Sequence, residues 1–355
     1  MGLKEAITQL SSPEECERIY AAEDIGLAGE IEGVDPLCQR VVEEPSQAVR
    51  ESIFAALALI PGNLVIERAA QLLSNDDPGI RNQALALLQS RGGAVVPELR
   101  GLLTSESHDL RKFAVDVLSQ IEIPESEELL QIALADRDIN VVITALENVR
   151  HCHSPALLHS VLQHALSGNH PMLVMAAMEA LSRVGDAECY RKIREKFPTL
   201  AGTPSLYLRP ALKLLGANGV NGDLLELQGF LTTCEPALRT AVLDALHSLL
   251  RRNGAVGIPE MWWRSLLARL PETVVAGERY QTLVLLGHLG HCAEVFEVLT
   301  AYLQSPESVD RLGAIEALSK NGFADARNIL QSRLPLEHDP EVKQALEDAL
   351  SVNGQ

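Results

Sequence analysis

Six carboxylates return at one place in a repeating pattern. Asp116, Glu147, Glu179, Asp244, Glu316 and Asp348 each stand six residues after the position that opens an apolar helical stripe. Six residues carry a helix through about 240°, nearly opposite the core-facing side. Ala55, Ala86, Leu214 and Val284 hold the same place elsewhere, so acids fill six of ten positions and bases none. A row of carboxylates on one face focuses a negative potential and draws in a basic partner. Phe113, Met175, His247, Tyr280 and His288 lie close to the row and would supply apolar and hydrogen-bonding anchors. The alternative is plain solvation, because glutamate is a good helix former that keeps an exposed face soluble.

Other chemistry is weaker. His151, His153, His159, His164 and His170 cluster mid-chain with Cys152. A metal site needs three or four ligands converging from paired short spacings, and His151-Cys152-His153 has no matching second segment. No metal or other cofactor is therefore expected. Trp262 and Trp263 are the only tryptophans; on a helix they point about 100° apart, so one could enter the core while the other faces outward. Nucleotide-binding glycine motifs, His-Glu-x-x-His and Gly-x-Ser-x-Gly are missing from the sequence, so no catalytic residue is assigned.

The bulk numbers narrow the classes. With 355 residues, 46% hydrophobic and only 4% aromatic, the chain buries a large aliphatic core. Its longest apolar runs, such as Phe54 to Pro61, fall short of the roughly 20 residues that cross a bilayer. Residues 1–30 lack a secretory pattern. A net charge of −18 disfavours nucleic acid and anionic lipid. Six scattered cysteines without a Cys-x-x-Cys pair read as reduced thiols. A cytoplasmic protein that binds another protein, with neither nucleic-acid nor membrane partner, is the resulting expectation.

The elements that would position the row are helical hairpins. The pairs Val49-Arg50, Ile80-Arg81, Leu110-Arg111, Val141-Val142, Leu173-Val174, Leu208-Arg209, Leu238-Arg239, Glu278-Arg279, Asp310-Arg311 and Val342-Lys343 recur every 30 to 40 residues. That interval holds two helices and two turns. In the second of these repeats Ile80, Ala84, Leu85, Leu87 and Leu88 share a face. Pro78, Pro171, Pro236 and Pro340 suit the first turn of the inner helix, and Gly92, Gly185, Gly254, Gly290 and Gly322 its end. The arginines could reach Asp76, Asp109, Asp136, Glu235 or Asp339 in neighbouring turns, contributing about 0–1 kcal/mol each if exposed. Residues 1–33, with a serine-capped helix at Ser12 and a looser stretch at Gly26, Gly29 and Gly33, read as an N-terminal helical cap. Residues 34–355 read as the array, irregular at about 186–220 and 255–290.

This pattern resembles HEAT repeats, particularly the short bacterial form first named from phycobilisome lyases, whose inner helix begins Asp-Pro-x-Val-Arg-x-x-Ala-Ala-x-Ala-Leu. Asp77-Pro78-Gly79-Ile80-Arg81 and Asp339-Pro340-Glu341-Val342-Lys343 are close matches. The resemblance covers about nine tenths of the chain and implies an all-α, right-handed solenoid of about ten hairpins, with the inner helices on the concave side. The carboxylate row would then be an acidic stripe on a bacterial scaffold or adaptor without catalytic activity. The family's di-iron hydroxylase carries repeated His-Glu pairs, missing here, and its DNA glycosylases present a basic face. A tetrapyrrole lyase or chaperone is the second function that the resemblance suggests, with Asp244 and Tyr280 or His288 holding a bilin.

Overall fold

The computed structural model describes residues 2–121, 123–168, 170–254, 260–289, 292–320, 323 and 325–352. Among them there is no strand. The chain forms two compact units, Met1–Ala180 and Leu181–Gln355. In the first, α1 (Leu3–Gln9) pairs with α2 (Glu15–Ala28), α3 (Val34–Glu43) with α4 (Gln47–Leu59), α5 (Asn63–Leu72) with α6 (Pro78–Ser90), α7 (Val96–Leu103) with α8 (His108–Leu118), and α9 (Ser126–Leu134) with α10 (Ile139–Asn148). Helix α11 (Pro155–Ser167) packs on α9, and α12 (Pro171–Val184) runs through the division. In the second unit α13 (Ala187–Lys196) pairs with α14 (Ser205–Asn218), α15 (Asp223–Thr233) with α16 (Pro236–Asn253), α17 (Glu260–Arg269) with α18 (Ala276–Leu289), α19 (Ala293–Tyr302) with α20 (Ser308–Lys320), and α21 (Ala326–Arg333) with α22 (Pro340–Val352). No helix among the described residues is long and apolar enough to cross a membrane.

Local signals explain the boundaries. The four prolines open α6, α12, α16 and α22, where a fixed φ and a missing N–H suit the first turn. Ser46, Asp77, Ser107 and Asp138 cap α4, α6, α8 and α10 with side-chain oxygens. Gly92 follows α6 at φ +54, the left-handed conformation that glycine adopts without strain. Gly290 and Gly322, and the expected irregularity at Ile258-Pro259, lie outside the described residues.

Within each unit the second helices of successive hairpins lie side by side as an inner layer, and in the first unit the first helices pack on one another as an outer layer. No hairpin of this length covers its own stripe, so neighbours share the core. Ile80, Ala84, Leu87 and Leu88 are buried there, and Leu85 is half-buried.

The inner layer is tied by arginines. Arg111 donates to both carboxylate oxygens of Asp136 at 2.7 and 2.9 Å, and to the carbonyls of Ser105 and Glu106 upstream. Arg311 does the same to Glu337 at 2.9 and 3.0 Å and to Ser305 and Pro306. Arg50 reaches Asp77 and Arg279 reaches Asp310. The expected partner Asp136 is right. Asp76 gives way to its neighbour Asp77 and Asp339 to Glu337, because Asp339 is occupied by the N–H groups of Glu341 and Val342 at the start of α22. Asp109 faces His108 at 3.2 Å instead.

Arg18 carries the arrangement upstream of Val34: it donates to Glu44 at 2.9 Å twice and to Ser12 and Pro13. The stretch expected to be loose is also helical, since α2 runs through Gly26 and stops at Gly29, φ +65. Gly26 sits inside it because a Cβ there would lie 2.7 Å from Ala56 Cα on α4. Ser12 caps no helix; its hydroxyl bonds Glu17 at 2.5 Å, and Glu14 occupies the cap position of α2. Both Trp262 and Trp263 are buried, at 3% and 6% exposure, so neither faces outward; Arg264 lies over the Trp263 ring.

Candidate functional site

The second unit carries a groove of about 710 Å³ on its inner layer. Each wall helix contributes a helical stripe: Val309, Leu312, Glu316 and Ser319 from α20, and Glu341, Ala345, Asp348 and Ala349 from α22. Gly277, Tyr280 and Gln281 come from α18, and Thr240 from α16. Ile315 underlies the floor at 2% exposure. Apolar side chains thus line the centre and three acids edge it. Among the described residues, no lysine, arginine or histidine lines it.

Tyr280 donates its hydroxyl to Glu316 Oε2 across from α18 to α20. Burial, reinforced by that carboxylate, raises the phenol pKa, so Tyr280 stays a neutral donor. The bond also orients Glu316 along the groove wall. The α18–α20 contact is unusually close because glycines meet it from both sides. A Cβ on Gly287 would fall 2.7 Å from Ala317 Cα, and one on Gly313 would fall 3.2 Å from Tyr280 Cα.

No protein-family model matches this chain, and no curated protein sequence matches it. Among solved structures, importin beta in an ammonium sulfate condition is similar over 98% of this chain and 57% of its own, with TM-score 0.60 and 14% identity. Importin beta is built from HEAT repeats. The fold is a HEAT-like α-solenoid. An engineered protein aligns over 99% of this chain and 98% of its own at 17% identity, but its TM-score of 0.35 is too low to bear on the fold. The chain spans about 57% of the importin beta to which it is similar.

On the HEAT-like inner helices the predicted row is outward in eight places. Glu147, Asp244 and Asp348 are exposed; Asp116, Glu179 and Glu316 are half-buried. Leu214 and Val284, in the two lengthened repeats, are buried at 1% each, which corrects the expectation that the whole row faces out. Val284 is covered because α18 is enclosed along Thr282–Gly287 by its neighbours. Leu214 packs towards Gly185.

Three of the predicted residues, Tyr280, Glu316 and Asp348, meet in the groove. Asp244, His247 and His288 do not line it; the two imidazoles face one another instead. In the first unit, Asp116 on α8 and Glu147 on α10 stand on adjacent helices. Burial pushes the Asp116 carboxyl up, Lys112 partly offsets this, and Glu147 adds to it. Phe113 lines a separate hollow of about 510 Å³ with Arg81, Ser107 and Leu110. Of the two residues expected to hold a bilin with Asp244, Tyr280 turns its phenol to Glu316, and His288 faces His247, one turn from Asp244 on α16.

Sequence reasoning missed Glu341 and the apolar floor. The signal was present: Glu341 and Asp348 are seven residues apart and so share a helical face. In the histidine-rich segment, His153 bonds Glu127 at 2.9 Å and His164 bonds the carbonyl of Leu134 at 2.9 Å. Among the described residues no three metal-type side chains converge.

Proposed function

We propose that this chain is a non-catalytic scaffold or adaptor that docks a cationic, partly apolar segment of a protein partner on its inner helices. The observation that carries this reading is the union, in one groove, of an apolar floor with Glu316, Glu341 and Asp348, with no cationic residue lining it among the described residues. Burial of apolar surface drives association at about 25 cal/mol per Å² removed from water, and the ordering costs of binding offset part of that gain. The carboxylates select and steer a basic partner. Asp116, Glu147 and Glu179 offer the same charge on the inner helices of the first unit, with Phe113 as an apolar neighbour, while Asp244, His247 and His288 offer polar contacts in the second. All six cysteines are free, which suits the reducing cytoplasm of a bacterial cell. Nucleic acid is disfavoured by the charge of −18.

A fluorescent leucine–lysine amphipathic peptide, titrated by anisotropy, tests the reading. Binding should weaken at least about tenfold, or about 1.4 kcal/mol, in the triple variant Glu316→Gln, Glu341→Gln, Asp348→Asn. It should also weaken between about 0.05 and 0.5 M salt. Equal affinity for the variant, or equal binding of a leucine–glutamate peptide, would sink it.

A further inference from the structure

The second unit also brings together two histidines that do not line the groove. His247 on α16 and His288 on α18 approach with Nε2 atoms 3.2 Å apart and ring centroids 5.0 Å apart, tilted by 38°. They are 41 residues apart in sequence and both half-buried, so the meeting is made by helix packing. Each lies seven residues beyond a groove residue, His247 beyond Thr240 and His288 beyond Gln281. Seven residues are about two turns, so the pair sits about 10 Å further along the same helical faces. Asp244 stands one turn before His247 on the same helix.

Two bonds of about 2.0–2.1 Å from a tetrahedral cation separate their imidazole nitrogens by about 3.3–3.4 Å. The observed 3.2 Å is within a small side-chain adjustment of that spacing. We propose that His247 and His288 form the protein half of a divalent transition-metal site, for Zn²⁺ or a similar imidazole-preferring cation, with Asp244 and water completing the coordination. In the metal-free pair one Nε2 carries the proton that the other accepts. In the loaded site both imidazoles are neutral, each with its proton on Nδ1 and its Nε2 lone pair on the cation. Only a tautomer change is required, with no net proton release from a neutral pair. Because no third metal-type side chain converges with the pair among the described residues, Asp244 enters by rotation or through water. Bound metal would join α16 to α18 beside the groove; this inference stands independently of what the groove binds.

The test is calorimetric titration of the full chain with Zn²⁺ alone, with Co²⁺ spectra to separate imidazole from thiolate ligation. One-to-one uptake is expected, with d–d bands, no sulfur-to-cobalt charge transfer, and at least about tenfold weaker binding in His247→Ala and in His288→Ala. Asp244→Asn should weaken it less. Should a variant fail to fold by circular dichroism, the imidazole nitrogen resonances of the intact chain decide: both Nε2 signals must shift on adding Zn²⁺. No uptake, a thiolate signature, unshifted Nε2 signals, or unchanged affinity in both folded alanine variants overturns the site.

Discussion

The inner layers of the two units use one register for different surfaces. In the first unit the row opens with Ala55 and Ala86, both exposed, and continues to Asp116 and Glu147. In the second, the corresponding Leu214 and Val284 are buried, and an apolar groove forms on α16, α18, α20 and α22. The difference follows from how closely neighbouring helices approach. Among the described residues, the first unit has one glycine-to-alanine crossing, Gly26 on Ala56; the second has Gly216 on Ala245 and Gly287 on Ala317, with Gly313 against Tyr280. Where helices are drawn together, positions that face solvent elsewhere become lateral contacts. Periodicity therefore decides orientation only while helix spacing stays constant.

The buried arginine pairs are common to both units and give the largest expected effect. Arg311→Ala leaves Glu337, whose side chain is 3% exposed, with a reduced shell, and should cost about 3–5 kcal/mol. Arg111→Ala, uncovering Asp136, should cost a similar amount in the first unit. Denaturant midpoints check both. A loss in one unit alone would show that the ladder stabilises only that unit.

Gly287→Val should follow, at about 1–3 kcal/mol, by forcing α18 from α20. Gly101→Ala in the first unit, with nothing within 4 Å of its Cβ, should be neutral or stabilising by up to about 1 kcal/mol. Equal effects would mean that close helix approach does not distinguish the units.

Acid should weaken both units through the same carboxylates. Burial pushes the Glu337 carboxyl up, but the Asp339 N–H, Arg311 and Arg333 outweigh it and hold it at about 2. An unfolded glutamate titrates at about 4.3. The folded value is the lower one, so this contribution is complete above about pH 4.3 and is lost as pH falls towards about 2. Burial likewise pushes up Glu44 and Asp136, and their arginine and backbone donors bring both below the ordinary range. Unfolding midpoints at about pH 7 and pH 3 should fall further apart in the native chain than in Arg311→Ala; the same spread in both would remove Glu337 as the cause.

The smallest effects separate groove from surface. Tyr280→Phe removes the bond to Glu316 and should cost about 0.5–1.5 kcal/mol. Arg100→Ala breaks an exposed pair with Glu128 and should cost no more than about 1 kcal/mol. A larger loss for Arg100 than for Tyr280 would reverse the ranking of buried over exposed contacts.

Much of the fold was legible because its signals are local. The four prolines, the caps at Ser46 and Asp77, and the apolar spacing of Ile80 to Leu88 mark helices without reference to distant residues. The site was only partly legible. Tyr280, Glu316 and Asp348 were identifiable by their place in the repeat, yet nothing local distinguished them from Asp244 or His247, which lie outside the groove lining. Glu44 escaped as an arginine partner because its ladder begins with Arg18, upstream of the first recognised pair.

By itself the sequence determined the helices, their hairpin pairing, the acidity of the exposed row and the arginine that begins most inner helices, because each depends on spacings within about two turns. Tertiary structure alone decided which acids each arginine meets, which row positions are buried, and that Tyr280 turns to Glu316 while His247 meets His288. Those outcomes depend on the distance between neighbouring helices. That distance is set by what a Cβ at Gly26, Gly216 or Gly287 would strike, which no spacing along the chain encodes.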